Sequence, residues 1–92
     1  MKLTDLTIWS YVLETEEEQM KLVLLERTSI PPDPEQWAIR INSGWCLSKQ
    51  KKKFCYEPLP STRDTKYYKE FRFDSAQEAL MFWIDNRGEI VV

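Results

Sequence analysis

Between Trp37 and Tyr56, large apolar side chains recur at every second position along three short runs. These are Trp37-Ala38-Ile39-Arg40-Ile41, Trp45-Cys46-Leu47-Ser48-Lys49 and Phe54-Cys55-Tyr56-Glu57. A period of two is that of strands with one buried face. A slip of one residue would turn a whole strand's apolar side toward water, so the connecting loops must agree on the register. Asn42-Ser43-Gly44 suits a three-residue hairpin loop closed by a glycine in the left-handed region, which sets Ile41 opposite Trp45 and Ile39 opposite Leu47. A loop of Lys49 to Lys52, or a tighter Gln50-Lys51 turn in the same register, pairs Leu47 with Phe54 and Trp45 with Tyr56. It also sets Cys46 directly across from Cys55.

Outside this stretch the strongest local signal is Thr15-Glu16-Glu17-Glu18, which reads as a threonine N-cap, acids in the first turn and a glutamate at the capping-box position. The expected helix runs through Met20, Val23, Leu24 and Arg27, and stops before Ile30-Pro31-Pro32-Asp33-Pro34. Leu6 to Leu13 favours a strand by propensity, yet Ile8, Trp9, Val12 and Leu13 share one helical face. A helix is expected here, because a strand would have to turn back through four residues lacking Gly, Pro and Asn. Glu57 to Asp64, with prolines at positions 58 and 60, reads as a long surface loop, and pairing is expected to resume near Lys69 to Phe73. Ser75-Ala76-Gln77-Glu78 is a second capping box, opening a helix with Ala76, Ala79, Leu80 and Trp83 inward and ending at Gly88. Glu89 to Val92 reads as a short edge strand or a frayed tail.

The expected fold is therefore α+β: a three- to four-stranded antiparallel sheet covered on one face by an N-terminal helical segment and a C-terminal helix. Residues 1–92 are expected to form one domain, with a helical segment at 1–29, a proline-rich connector at 30–35, the sheet at 36–73 with a long loop at 57–66, and a helix at 75–87. An apolar content of 42%, with 13% aromatics, is enough for one modest core.

Composition narrows the chemistry. Without histidine, the Ser-His and Cys-His nucleophile pairs and most catalytic zinc sites are excluded. Two glycines cannot build a phosphate cradle or a dinucleotide fingerprint. No catalytic residue, metal ligand or cofactor is expected, and the protein is read as non-enzymatic. No apolar run reaches the roughly twenty residues of a membrane span, no leader is legible at the start, and two cysteines are too few for a disulfide scaffold. The expected address is the cytoplasm, with no membrane partner.

The formal net charge of −2 conceals a dipole: residues 1–35 carry eight acids against three bases, and residues 40–72 nine bases against three acids. Self-complementarity and solubility are the plain reading of this pattern; a surface for an anionic partner is the sharper one. Trp9, Trp37, Trp45 and Trp83 exceed what a small core commonly needs, so some of this surplus is available to a partner. The expected function is a small binding or regulatory module acting through protein contacts, a homodimer being one form of this. Arg40 on the second sheet face, Arg63 in the proline loop, Lys66, and the basic turn of Lys51, Lys52 and Lys53 are the candidate contacts. The alternative is a nucleic-acid-binding protein using Lys49 to Lys53, with Arg63, Lys66, Lys69 and Arg72 extending the track and Tyr67 or Tyr68 stacking on bases. Cys46 and Cys55 read as packed thiols, with a redox pair as the alternative.

Overall fold

A computed structural model describes residues 9–41 and 44–92. Five strands form one antiparallel sheet in sequence order: β1 (Ser10–Glu16), β2 (Lys21–Arg27), β3 (Trp37–Ile41), β4 (Trp45–Ser48) and β5 (Lys53–Tyr56). Two helices follow, α1 (Thr65–Phe71) and α2 (Ala76–Asn86). The class is α+β, as the sequence pattern indicates. Among the described residues no helix is long and apolar enough to cross a membrane.

The register of β3, β4 and β5 follows from alternation. Ile41 pairs with Trp45, Leu47 with Phe54, Trp45 with Tyr56, and Cys46 with Cys55. Asn42 and Ser43 lie outside the described residues, but Gly44 sits at φ +90 and a Cβ on it would meet the Tyr56 ring at 3.2 Å. Both facts make glycine the fitting residue there. The second loop closes with Lys52 at φ 53 and its amide donating to the Ser48 carbonyl at 2.8 Å.

The N-terminal helices do not form. Residues 6–8 of the first lie outside the described residues, and Ser10 onward is β1; Thr15 and Glu16 end that strand instead of capping a helix. Glu17 to Met20 make a tight turn in which Met20 takes φ 53, doing the work usually left to glycine or asparagine. In β2 the run Lys21-Leu22-Val23-Leu24-Leu25 obeys a period of two: Val23 and Leu25 are buried, while Leu22 is exposed and Leu24 half-buried. The apolar run resembles a helical stripe because both faces of the strand carry leucine. The sheet thus has five strands where three or four were expected.

The second correction lies after β5. Pairing does not resume at Lys69 to Phe73; Phe73 alone makes an isolated bridge with Trp37, and Thr65–Phe71 is helical. Asp64 caps α1, its side chain accepting from the Tyr67 amide at 2.9 Å. The expected loop at 57–66 instead holds a 3-10 turn at Pro60–Thr62 and the start of α1.

The core lies between α2 and one sheet face: Val23, Leu25, Ile39 and Leu47 meet Ala79 and Trp83, with Phe73 and Ile90 closing the ends. Ser75 caps α2, its side chain accepting from the Glu78 amide at 3.0 Å. Trp83 is 5% exposed and its ring lies 6.5 Å from that of Phe54. Leu80, expected inward, is 40% exposed, and Phe82 takes the inward place by packing on Phe73 at 5.4 Å. The helix runs into a 3-10 turn at Arg87–Glu89, and Val91 bridges to Lys53 in parallel.

Candidate functional site

The second face of the sheet carries Val12, Leu22, Leu24, Glu26, Arg40, Cys46 and Cys55, as the pairings Val12 with Leu24, Leu24 with Arg40, Arg40 with Cys46 and Cys46 with Cys55 require. Two regions divide it. Over β4 it is covered: α1 packs against that strand, the Cys46 thiol reaches the Phe71 carbonyl at 3.5 Å, and Ser48 donates to the Glu70 carboxylate. Cys46 and Ser48 are consequently buried.

Glu57 is the hub of the covered region. Its side chain is 7% exposed and accepts from Arg40 and Arg72 at 3.0 Å each and from Arg63 at 3.2 Å. Arg40 also holds Glu26 at 3.2 Å. A carboxylate this buried needs such partners, since burying an unpaired charge is very costly. Burial opposes its ionisation, but Arg72 and Arg40 outweigh that and hold its pKa below the ordinary value. The network ties β3, the proline segment and the end of α1 together. It leaves an excess of one positive charge and, among the described residues, three buried groups without a hydrogen-bond partner: Arg40 Nε, Arg72 Nε and the Tyr67 hydroxyl. Burial pushes the Tyr67 hydroxyl up to about 12.

These groups suit structure better than proton transfer. Ionised and hydrogen-bonded to three guanidinium groups, Glu57 is poorly disposed to take a proton at neutral pH. Burial pushes the Cys46 thiol up to about 12, against the pull of Arg72, so it stays protonated. Cys55 is half-buried beside it on β5, and both thiols are free. Among the described residues, no three side chains of metal-ligating type converge.

Over β1 and β2 the second face is open, while on β3 Ala38, which pairs with Glu26 on this face, is fully buried and the Arg40 side chain is only partly exposed. A groove of about 540 Å³ is lined by Met20, Leu22, Leu24, Glu26, Arg40, Gly44 and Glu57. Met20 is 89% exposed, Val12 59% and Leu22 42%, so a strip of apolar side chains crosses the hairpin beside the buried ion network. Glu16, Glu17 and Glu18 at the turn are exposed and have no ion-pair partner among the described residues.

The candidate contacts from the sequence are dispersed. Arg40 stands in the groove floor, whereas Arg63 is turned inward, donating to Glu57 and to the Pro58 carbonyl. Lys51 is exposed in the turn, Lys52 pairs with Glu89, and Lys53 starts β5. Lys66 joins Lys49, Gln50, Lys69 and Glu70 around a separate shallow groove. Lys49 is committed there, its ammonium donating to the Arg72 carbonyl at 2.6 Å and lying over the Phe73 ring. Tyr67 is buried and stacked on Phe71.

The open strip of Val12, Met20, Leu22 and Leu24 was not singled out from sequence. The signal existed: reading Lys21 to Arg27 with a period of two leaves Leu22 and Leu24 outward once Val23 and Leu25 are inward.

A scan against protein-family models gave no match, and searches of curated proteins and of solved structures gave none either.

Proposed function

We propose that this chain is a non-enzymatic binding or regulatory module that acts through protein contacts made by the open face of β1 and β2. The observation that carries this reading is the pair of exposed side chains Met20 and Leu22 in a groove with an ion-paired floor, with exposed Val12 on the same sheet face across from Leu24. Contiguous apolar surface rimmed by polar groups is how protein interfaces are built. Met20 strengthens the case: a flexible thioether side chain adapts to partner surfaces, and its left-handed backbone is a strained state of the kind found at functional positions. The absence of histidine in the chain supports a role without acid-base catalysis. A cytoplasmic setting belongs to the same proposal, because Cys46 and Cys55 are free thiols on adjacent strands, the state a reducing compartment maintains.

Nucleic-acid binding is the second reading, favoured by the convergence of Lys49, Lys66 and Lys69 on one groove. One experiment separates the two. Tagged protein in source-cell extract is sized by gel filtration with and without nuclease, beside the Leu22→Ser/Leu24→Ser variant. The protein reading expects a complex that resists nuclease and dissolves in the variant. A complex that collapses with nuclease and survives in the variant overturns it in favour of the lysine groove.

A further inference from the structure

The open face has dimensions and charge that narrow its partner. This inference rests on the protein-contact reading above and adds the chemistry of the occupant. The two strands of the β1–β2 hairpin, each taking about 4.8 Å, present a face roughly 10 Å wide, which matches the 10–12 Å diameter of one α-helix. Seven-residue strands are about 23 Å long at 3.3 Å per residue, a length that a helix of about fifteen residues covers at 1.5 Å per residue. The α1 helix already occupies the neighbouring part of this face, over β4, so a second helix would complete the layer beside it. A helix satisfies its own backbone groups and so suits a sheet face, where the strands' amides and carbonyls are already paired; an added strand would need an edge.

Charge sets the rest. At one end of the strip, Glu17 and Glu18 precede Met20 in the same turn, with their carboxylates unpaired among the described residues. At the other, Glu26 has 32% of its side chain exposed and shares Arg40 with Glu57. Among the described residues Arg40 is the one cation lining the groove, and both of its terminal nitrogens are engaged by these carboxylates. Uncompensated carboxylates therefore stand at the turn end alone, since Glu26 and Glu57 are neutralised by Arg40, Arg63 and Arg72, and a helix with its cations at the turn end is the matching occupant.

We propose that the open face of β1 and β2 receives a basic amphipathic helix of a partner protein. Its apolar stripe lies on Val12, Met20, Leu22 and Leu24, and its lysines or arginines sit beside Glu17 and Glu18. Leucine and methionine supply the adaptable apolar contact, and the turn supplies the orientation.

The test is a titration of the full-length ¹⁵N-labelled chain with a fifteen-residue capped peptide of leucine and lysine at helical spacing, followed by amide shifts. A peptide with glutamate replacing lysine serves as control. The expected result is saturable binding of the lysine peptide, with shifts centred on Val12 and Met20 to Leu24, and at least tenfold weaker binding of the glutamate peptide. Leu22→Ser/Leu24→Ser, verified as folded by an unchanged spectrum elsewhere, should weaken binding at least tenfold. Glu17→Gln/Glu18→Gln should weaken it several-fold at low salt and little at high salt. Equal affinity for the two peptides, shifts centred on α2, or no binding overturns the proposal. Shifts at the same amides that grow with protein concentration and no peptide make the occupant a second copy, and overturn it too. If the peptide fails while a cross-linker at Met20 still captures a discrete protein, the partner is not a basic helix and the module reading stands; failure of both removes both.

Discussion

Arg72 donates to Glu57 at 3.0 Å with 4% and 7% of their side chains exposed, an ion pair joining the end of α1 to the segment after β5. Arg40 and Arg63 complete the ring around the same carboxylate. Removing the shared anion leaves Arg63 and Arg72 without a carboxylate and Arg40 with Glu26 alone. Glu57→Gln is therefore expected to destabilise the fold by about 3–5 kcal/mol, the cost of stripping the partner from a buried charge. Urea unfolding checks this; a change below about 1 kcal/mol would show the guanidinium groups to be solvated.

The same carboxylate sets an acid limit. Its folded pKa lies below the ordinary 4.5, so the stabilisation is complete above the unfolded pKa and disappears as pH falls through the folded one. Glu14 acts in the same direction, lowered by its hydrogen bonds to Arg87, but both groups are substantially exposed and solvent screening makes their share small. Stability curves for the wild type and Glu57→Gln should lie furthest apart near neutrality and draw together as pH falls below the ordinary carboxylate value and through the lowered folded one. Parallel curves would assign the acid transition to other groups.

In the core, Trp83 and Leu80 separate cleanly. Trp83→Ala, which empties a site 5% exposed between α2 and the sheet, is expected to cost about 3–5 kcal/mol. Leu80→Ala, at a site 40% exposed, should cost about 1 kcal/mol or less. Thermal melts of the two variants decide, and comparable losses would mean that Leu80 is covered in solution.

Sequence reading succeeded where side-chain alternation and turn chemistry agreed. Between Trp37 and Tyr56 the faces alternate and Gly44 punctuates the hairpin, so the register was legible to the residue. The Ser75 cap and the inward Trp83 were legible from the capping box and the helical spacing that follows it. The β1–β2 hairpin was not, because its turn has no glycine or asparagine and methionine adopts the left-handed conformation instead. Its acids, Glu16 to Glu18, imitate a capping box, and leucines on both faces of β2 imitate a helical stripe. For α1, the Asp64 cap was a usable signal, but the aromatic run Tyr67-Tyr68 and Phe71 favours a strand by propensity, and packing on β4 overrode it. The candidate site lies on the misread hairpin, so it was hidden with it.

Met20 itself offers a stability test. With φ 53 and an almost fully exposed side chain, it holds a strained conformation without burying its apolar surface. Met20→Gly is expected to raise stability by up to about 1 kcal/mol, relief of the left-handed penalty exceeding glycine's added unfolded-state entropy. Denaturant titration reads this directly, and a loss of stability would mean that the methionine packs on the hairpin.

The central claim is that the open face of the β1–β2 hairpin contacts another protein. A photo-activated cross-linking residue at Met20, and separately at Leu59 on the proline segment, tests it in the source cell. The account predicts a discrete protein adduct from position 20, absent from position 59 and lost when Leu22→Ser/Leu24→Ser is added. Equal labelling from both positions, or adducts only to nucleic acid, would contradict it.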